Sequence, residues 1–420
     1  MNKLKQKISS LSKSKEAKTL AGNFMWLSAL KVVGYIFPLI TMPYLARVIG
    51  VDSFGEIAFA ASVIVFIETF TDFGFNYTAT RDIAKCRENL KEVSTIFSNV
   101  FWSKILLMGV GLVILLILIY SIPSLYDKRL LLLLTFLYVP GHIIFPEWFF
   151  QAMEQMRYIT ILNILSKLLF TLLIFVIIKE KSDYIWQPLL TAIGYWISGG
   201  IALYYIFKHF EVKLYSPKWG EIKSALKSSY NMFFSLLLPN LYTNFSTILL
   251  RSSCGEVATG IYSAGQKFLT IVEQLFGVLS RTFYPFLARK MDKHQVYVYI
   301  TGTCSVLACL FLFFSAEMLV NLFYTEEFAD AAIVIKIMAI APFSLFLMNT
   351  YGLNYLVLAK KEKLYRNIIF GCSIIGFVVT WILTPKFGYI GMATTISGIW
   401  FFRGIITYIY ALRTKRNLEK

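Results

Sequence analysis

Long apolar runs separated by short, polar and mostly basic connections extend along the whole chain. Runs of spanning length fall near residues 22–46, 55–78, 95–120, 130–150, 158–178, 184–207, 228–250, 257–287, 295–315, 329–357, 365–383 and 388–411. A bilayer core about 30 Å thick is crossed by about 20 helical residues. The pattern therefore predicts an all-α, polytopic membrane protein with twelve transmembrane helices. Several runs are longer than a span needs, so tilt or kinking is expected. Pro38, Pro43, Pro140, Pro239, Pro285 and Pro342 lie in or at the ends of runs and permit bends.

The run 257–287 departs most from a plain lipid-facing helix. Ser263, Lys267, Thr270, Gln274 and Arg281 follow helical spacing and form one polar stripe, with the two cations about 21 Å apart along the axis. Each charge costs about 2.5–3.5 kcal/mol to insert at the membrane centre, so such residues normally face a bundle interior or a water-filled cavity. The alternative is that both side chains snorkel to opposite headgroup layers.

The chain also resembles itself. A shift of 205 residues lays Gly55 on Gly260, Glu68 on Glu273, Tyr184-Ile185 on Tyr389-Ile390 and Gly199 on Gly404. Six spans is an even number, so the halves are expected as parallel six-helix bundles related by a pseudo-twofold axis along the membrane normal. The resulting division is a basic N-terminal segment 1–20, a bundle 21–207, a linker 208–227, a second bundle 228–412 and a tail 413–420. A cavity between the halves is the expected substrate site.

Composition adds the charge. The 420 residues are 57% hydrophobic and 15% charged, with a net charge of +17, and the mean hydropathy of +0.64 excludes a soluble domain. The basic residues sit between apolar runs, so they are assigned to cytoplasmic loops facing anionic lipid and not to nucleic acid. With the N-terminus inside, about 27 Lys and Arg fall in cytoplasmic connections and about 7 in external ones, which predicts both termini in the cytoplasm. The first twenty residues are lysine-rich and no small-residue cleavage site follows them, so no cleaved leader is expected. The five cysteines show no metal-ligand spacing and are expected to be packing residues.

No phosphate-binding loop, HExxH or GxSxG occurs, and His142, His209 and His294 are unclustered in sequence and expected to be structural or interfacial. Neither an enzyme active site nor a metal site is predicted. External connections are short, which disfavours a polysaccharide polymerase or glycosyltransferase. What remains is charge inside the spans: Lys31, Lys104, Lys167, Lys267, Arg281, Lys336 and Arg403, with Glu68, Asp72, Glu147 and Glu273. Lys104, Lys336 and Glu147 lie nearer helix ends and are expected to snorkel.

Lys31, Lys267, Arg281 and Arg403, with Gln274, Asn240 and Asn244, are the candidate lining of a cationic cavity. Such a cavity attracts an anion, and phosphate suits Arg and Lys. Asn240, Asn244, Thr247 and Arg251 form a second stripe that either lines it or makes interhelical hydrogen bonds. Glu68 and Asp72 lie one turn apart, and together with Glu273 they are candidates for coupling to H+ or Na+. The competing reading pairs Glu68 and Asp72 with Lys31 as salt bridges.

Three stretches carry a family resemblance. PEWFFQAMEQMRYIT at 146–160, PKFGYIGMATTISGIW at 385–400 and LARVIGVDSFGEIAFA at 45–60 resemble the fourth-helix end, the last-helix entry and the first-helix junction of bacterial O-antigen and capsular polysaccharide flippases. These form the polysaccharide branch of the multidrug, oligosaccharidyl-lipid and polysaccharide exporter superfamily. Ala152 stands where the family usually has glycine. The resemblance implies two six-helix bundles in a V and a substrate of undecaprenyl-diphosphate-linked oligosaccharide. It also implies alternating access across the bacterial inner membrane, H+ or Na+ antiport, no cofactor, and as partners membrane lipids, a polysaccharide polymerase and a chain-length regulator. A multidrug or cation antiporter of the same superfamily is the second reading. The surplus of buried cations argues against it.

Overall fold

The computed structural model describes residues 15–289, 291 and 294–418, and every regular element among them is helical. Side chains at several positions between 15 and 38 and between 281 and 289, Lys31 and Arg281 among them, lie outside the described residues. In chain order the α-helices of six residues or more are α1 (Lys15–Asp72), α2 (Phe75–Cys86), α3 (Leu90–Ser121), α4 (Arg129–Phe136), α5 (Tyr138–Ile144), α6 (Glu147–Ala152), α7 (Met156–Ile177), α8 (Gln187–His209) and α9 (Trp219–Arg289). They continue as α10 (His294–Phe323), α11 (Ala331–Met338), α12 (Ala341–Leu347), a π-helical segment Met348–Val357 and α13 (Glu362–Leu418).

Among the described residues, eight stretches are long and apolar enough to cross a bilayer, or nine if one bent pair in α9 is counted as a span. The apolar pattern predicts twelve. The difference arises because α1, α9 and α13 each join two helices through a glycine without a loop between them. Gly50 (φ 74°), Gly255 (φ 87°) and Gly388 (φ 57°) adopt backbone angles that residues with a Cβ rarely tolerate. Gly255 lies 205 residues beyond Gly50, the same shift that brings the two halves of the sequence into register.

The chain divides into two compact units. The first comprises Met1–Thr41, Ile64–Lys179 and Ile185–Leu236; the second comprises Met42–Val63, Glu180–Tyr184 and Leu237–Lys420. The boundary differs from a cut at residues 208–227, because the segment around the Gly50 break packs with the C-terminal residues.

The core of the first unit is aromatic. Phe97 on α3 meets Trp148 at 5.6 Å and Phe149 edge-on at 5.7 Å, and Phe75, Ile83, Phe150, Leu162 and Ile206 close around them. The aromatic run of PEWFFQA is thus packing. Small residues let α7 and α8 approach: a Cβ on Gly194 would stand 2.7 Å from the Ser166 carbonyl oxygen, and Ser198 donates to Leu162 O at 2.9 Å. Asn89 caps α3 by accepting from the Glu92 N–H.

In the second unit Phe54 lies edge-on to Phe328 and Tyr324, and Tyr324 donates to the Ala264 carbonyl at 3.2 Å. The π-helical segment is tied to its neighbours by polar side chains. Asn354 donates to Ser280 Oγ and Tyr297 OH, and His294 Nε2 lies 3.1 Å from the Thr350 carbonyl, which fits the structural role expected of His294.

Candidate functional site

The densest buried charge cluster among the described residues sits in the first unit. The second half of α1 carries Glu68 and Asp72 one turn apart, so both project on one face. Facing them are Lys104 from α3, Asn76 from α2, and Tyr138 and His142, also one turn apart, from α5. Lys104 Nζ donates to Asp72 Oδ1 at 2.7 Å and to Asn76 Oδ1 at 3.3 Å, while Asn76 Nδ2 donates to Asp72 Oδ2 at 3.1 Å. Tyr138 donates to Glu68 Oε1 at 3.3 Å. His142 Nδ1 lies 3.7 Å from Glu68 Oε1 and 3.8 Å from Asp72 Oδ1.

One expectation fails here. Lys104 does not snorkel: its side chain is 2% exposed and ion-paired. The four carbons of its stem reach inward because Asp72 and Asn76 present acceptors there, and an unpaired ammonium at that depth would be costly. His142, expected to be structural or interfacial, lies beside two carboxylates that are far from it in sequence. Glu68 and Asp72 do come together as anticipated. The lysine bonded to Asp72 is Lys104, and the Lys31 side chain lies outside the described residues.

The charge balance defines what the cluster can do. Lys104 neutralises one carboxylate, which leaves Glu68 beside His142. One ligand atom each from Glu68, Asp72 and His142 lie within 4.8 Å of one another. With a neutral imidazole, Glu68, Asp72 and Lys104 together carry one net negative charge, and among the described residues this group can accept one proton or one monovalent cation. The Tyr138 ring stacks on His142 at 5.7 Å and meets Tyr195 edge-on at 4.8 Å, a wall that fixes the imidazole.

A model of the family described as "Polysaccharide biosynthesis protein" matches residues 20–291, a stretch that includes the whole of this cluster. The chain belongs to that family. A putative O-antigen transporter of Escherichia coli (strain K12) is 27% identical over 389 residues, covering 90% of this chain and 93% of the relative. A second, from Shigella dysenteriae, is 24% identical over 386 residues, covering 89% and 95%. Among solved structures, the lipid II flippase MurJ in an inward closed conformation matches with a TM-score of 0.73 at 14% identity, over 93% of this chain and 87% of that one. An inward-facing multidrug transporter of the MATE family, in the MOP superfamily, matches with a TM-score of 0.68 at 13% identity, over 91% and 96%. The resemblance to polysaccharide flippases read from the sequence is borne out, and the all-α fold is shared with the MurJ and MATE structures.

The remaining candidates with described side chains scatter over the second unit. On α9, Ser263 is buried, Lys267 and Thr270 are exposed, Gln274 is half-buried and Glu273 is exposed. The stripe therefore has a wet or lipid-facing middle and a buried start. Asn244 donates to Asn240 Oδ1 at 3.0 Å one turn earlier. Arg403 on α13 is half-buried, with Nε directed at the Met348 sulfur. Glu273 does not share a cluster with Glu68 and Asp72, and the Arg281 side chain lies outside the described residues. Lys336 pairs with Glu317 at 2.5 Å, and Glu147 accepts from the buried Asn163 at 2.6 Å instead of reaching a headgroup.

Sequence reasoning missed Lys104, His142 and Tyr138. For the first, spacing along α3 gave no signal of the Asp72 partner that turns it inward. None existed for His142, whose partners come from another helix.

Proposed function

We propose that this protein is a flippase that carries a polyprenyl-diphosphate-linked oligosaccharide from the cytoplasmic to the outer leaflet of a bacterial inner membrane. Both termini would lie in the cytoplasm, in keeping with the positive-inside count. The match to O-antigen transporters over nearly the whole chain is the observation that carries this reading. The cations set into its spans supply the chemistry a diphosphate needs, since charge-assisted hydrogen bonds to phosphate are the strong ones. The headgroup would be bound and released by alternating access, with different contacts in the two states.

Coupling is assigned to the Glu68, Asp72, His142 and Lys104 cluster, and the coupling ion to H+. Lys104 already occupies the cation position at Asp72. A nitrogen ligand from His142 is poorly matched to a hard ion such as Na+, which prefers oxygen. Glu68 is then the proton carrier, and His142 responds to its charge.

The test is headgroup translocation in a strain lacking its own flippase. Surface polysaccharide should reappear with the wild-type chain and remain absent with Asp72→Asn at equal membrane abundance. Export of a cationic dye without restored polysaccharide would favour the antiporter reading, which the MATE-like fold keeps in view.

A further inference from the structure

At the end of the second unit that the Lys and Arg count places outside, two helix starts touch through bare backbone. Each follows a left-handed glycine, Gly50 or Gly255, and each carries another glycine soon after, Gly55 or Gly260. A Cβ on Gly55 would stand 2.0 Å from the Glu256 carbonyl oxygen, and one on Gly260 would stand 2.0 Å from the Val51 carbonyl oxygen. The 205-residue shift carries Val51 onto Glu256 and Gly55 onto Gly260. The two contacts are therefore one self-complementary crossing seen twice, as an isologous contact requires.

The symmetry ends at the charges. Arg251 Nη2 donates to Glu56 Oε1 at 2.6 Å, with side chains 17% and 4% exposed. The shift-related positions, Ala46 and Ile261, are buried and apolar. Two further polar contacts flank the crossing. Glu327 Oε2 accepts the Val51 N–H at 3.1 Å, a carboxylate at the start of a helix, and Lys181 pairs with Asp52 at 2.8 Å.

The geometry points to a latch: the Gly55–Gly260 crossing, locked on one side by Glu56 and Arg251, is the outer gate of the transporter, and parting of that ion pair opens it. The inference rests on the alternating-access reading above and is independent of the substrate. A pair of this kind suits a switch. The Coulomb attraction of a buried pair roughly offsets the desolvation of its two ions, so closed and open forms lie near one another in free energy. Removing either partner takes away the Glu56–Arg251 attraction that holds the closed form while the other ion keeps its desolvation cost there, and the equilibrium then moves toward opening. The bare glycine contact adds a second control, because any side chain there forces the backbones apart.

The experiment uses the full chain with its five free cysteines replaced and Ser53→Cys as reporter, a position 4% exposed in the first turn after Gly50. A membrane-impermeant maleimide is added outside intact cells. Labelling should rise at least about tenfold in Glu56→Gln, Arg251→Gln and Gly55→Ala. It should return toward the parent rate in the charge exchange Glu56→Arg with Arg251→Glu. A second reporter, Ser198→Cys in the fully buried core of the first unit, should stay unlabelled and so separates gating from unfolding. Where Glu56→Gln unfolds the chain, Gly260→Ala and the charge exchange decide the matter by the same readout. Parent-rate labelling of Ser53→Cys in all three single variants overturns the latch. A raised labelling rate in a protein that moves no lipid-linked oligosaccharide counts against the substrate reading and leaves the gate standing.

Discussion

The two halves of the chain share a helical frame and differ in what they bury. Glu68 and Glu273 correspond under the 205-residue shift, yet Glu68 sits in a cluster with Tyr138, His142 and the Lys104–Asp72 pair, and Glu273 is exposed. Its other counterparts explain why. Where the first half has Asp72, Lys104, Tyr138 and His142, the second has Gly277, Cys309, Phe343 and Leu347. Arg403 is the cation whose charge reaches Glu273, and the shift-related positions supply it no Lys, Tyr or His to draw it inward. Repetition of a fold therefore preserves the backbone devices, such as Gly50 and Gly255, while the cluster of Glu68, Asp72, Lys104 and His142 is confined to one copy. The lesson is that helix breaks report the common frame and polar clusters report the work divided between its halves.

The comparison is broken most severely at Lys104. Lys104→Ala strands Asp72 in the first unit and should destabilise the protein by about 3–5 kcal/mol, read as a fall in melting temperature in detergent, with transport lost. Pairing it with Asp72→Asn should recover most of the stability and none of the transport. A neutral Lys104→Ala would return this lysine to the headgroup region.

A smaller effect is expected at Lys267, in the half without the cluster. Loss of one charge-assisted contact to a diphosphate is worth about 1.5–3 kcal/mol, so Lys267→Ala should lower translocation about 10- to 100-fold while melting is nearly unchanged. Equal translocation at equal expression would remove Lys267 from the substrate path. The smallest change belongs to Glu273→Gln, which should stay within about 0.5 kcal/mol of the parent in stability and keep its dependence on the ion gradient. A loss of gradient dependence there would make the halves functionally alike and undo the contrast.

Much of this frame was legible in the residues. Apolar runs of spanning length are forced by the bilayer, and a repeat written in glycines survives because few other residues fit a left-handed break. The number of separate spans was harder to see in the finished helices, since Gly50, Gly255 and Gly388 join neighbours without a loop. Glu68 and Asp72 could be paired from helical spacing alone. Their partners could not, because Lys104, Tyr138 and His142 arrive from α3 and α5, and spacing along one helix says nothing of what faces it. The same holds for Arg251, read as part of a polar stripe and found bonded to Glu56 across nearly two hundred residues.

The central claim is that one protonatable site in the first half drives movement of a lipid-linked oligosaccharide. It is tested most directly in proteoliposomes holding a fluorescent polyprenyl-diphosphate oligosaccharide, with translocation followed under an imposed pH gradient, an imposed Na+ gradient, or neither. The wild-type protein should respond to the pH gradient alone, and Glu68→Gln, with melting within about 1 kcal/mol of the parent, should translocate at the same slow rate under all three conditions. Acceleration by Na+ alone, or a Glu68→Gln protein that still follows the pH gradient, would contradict it.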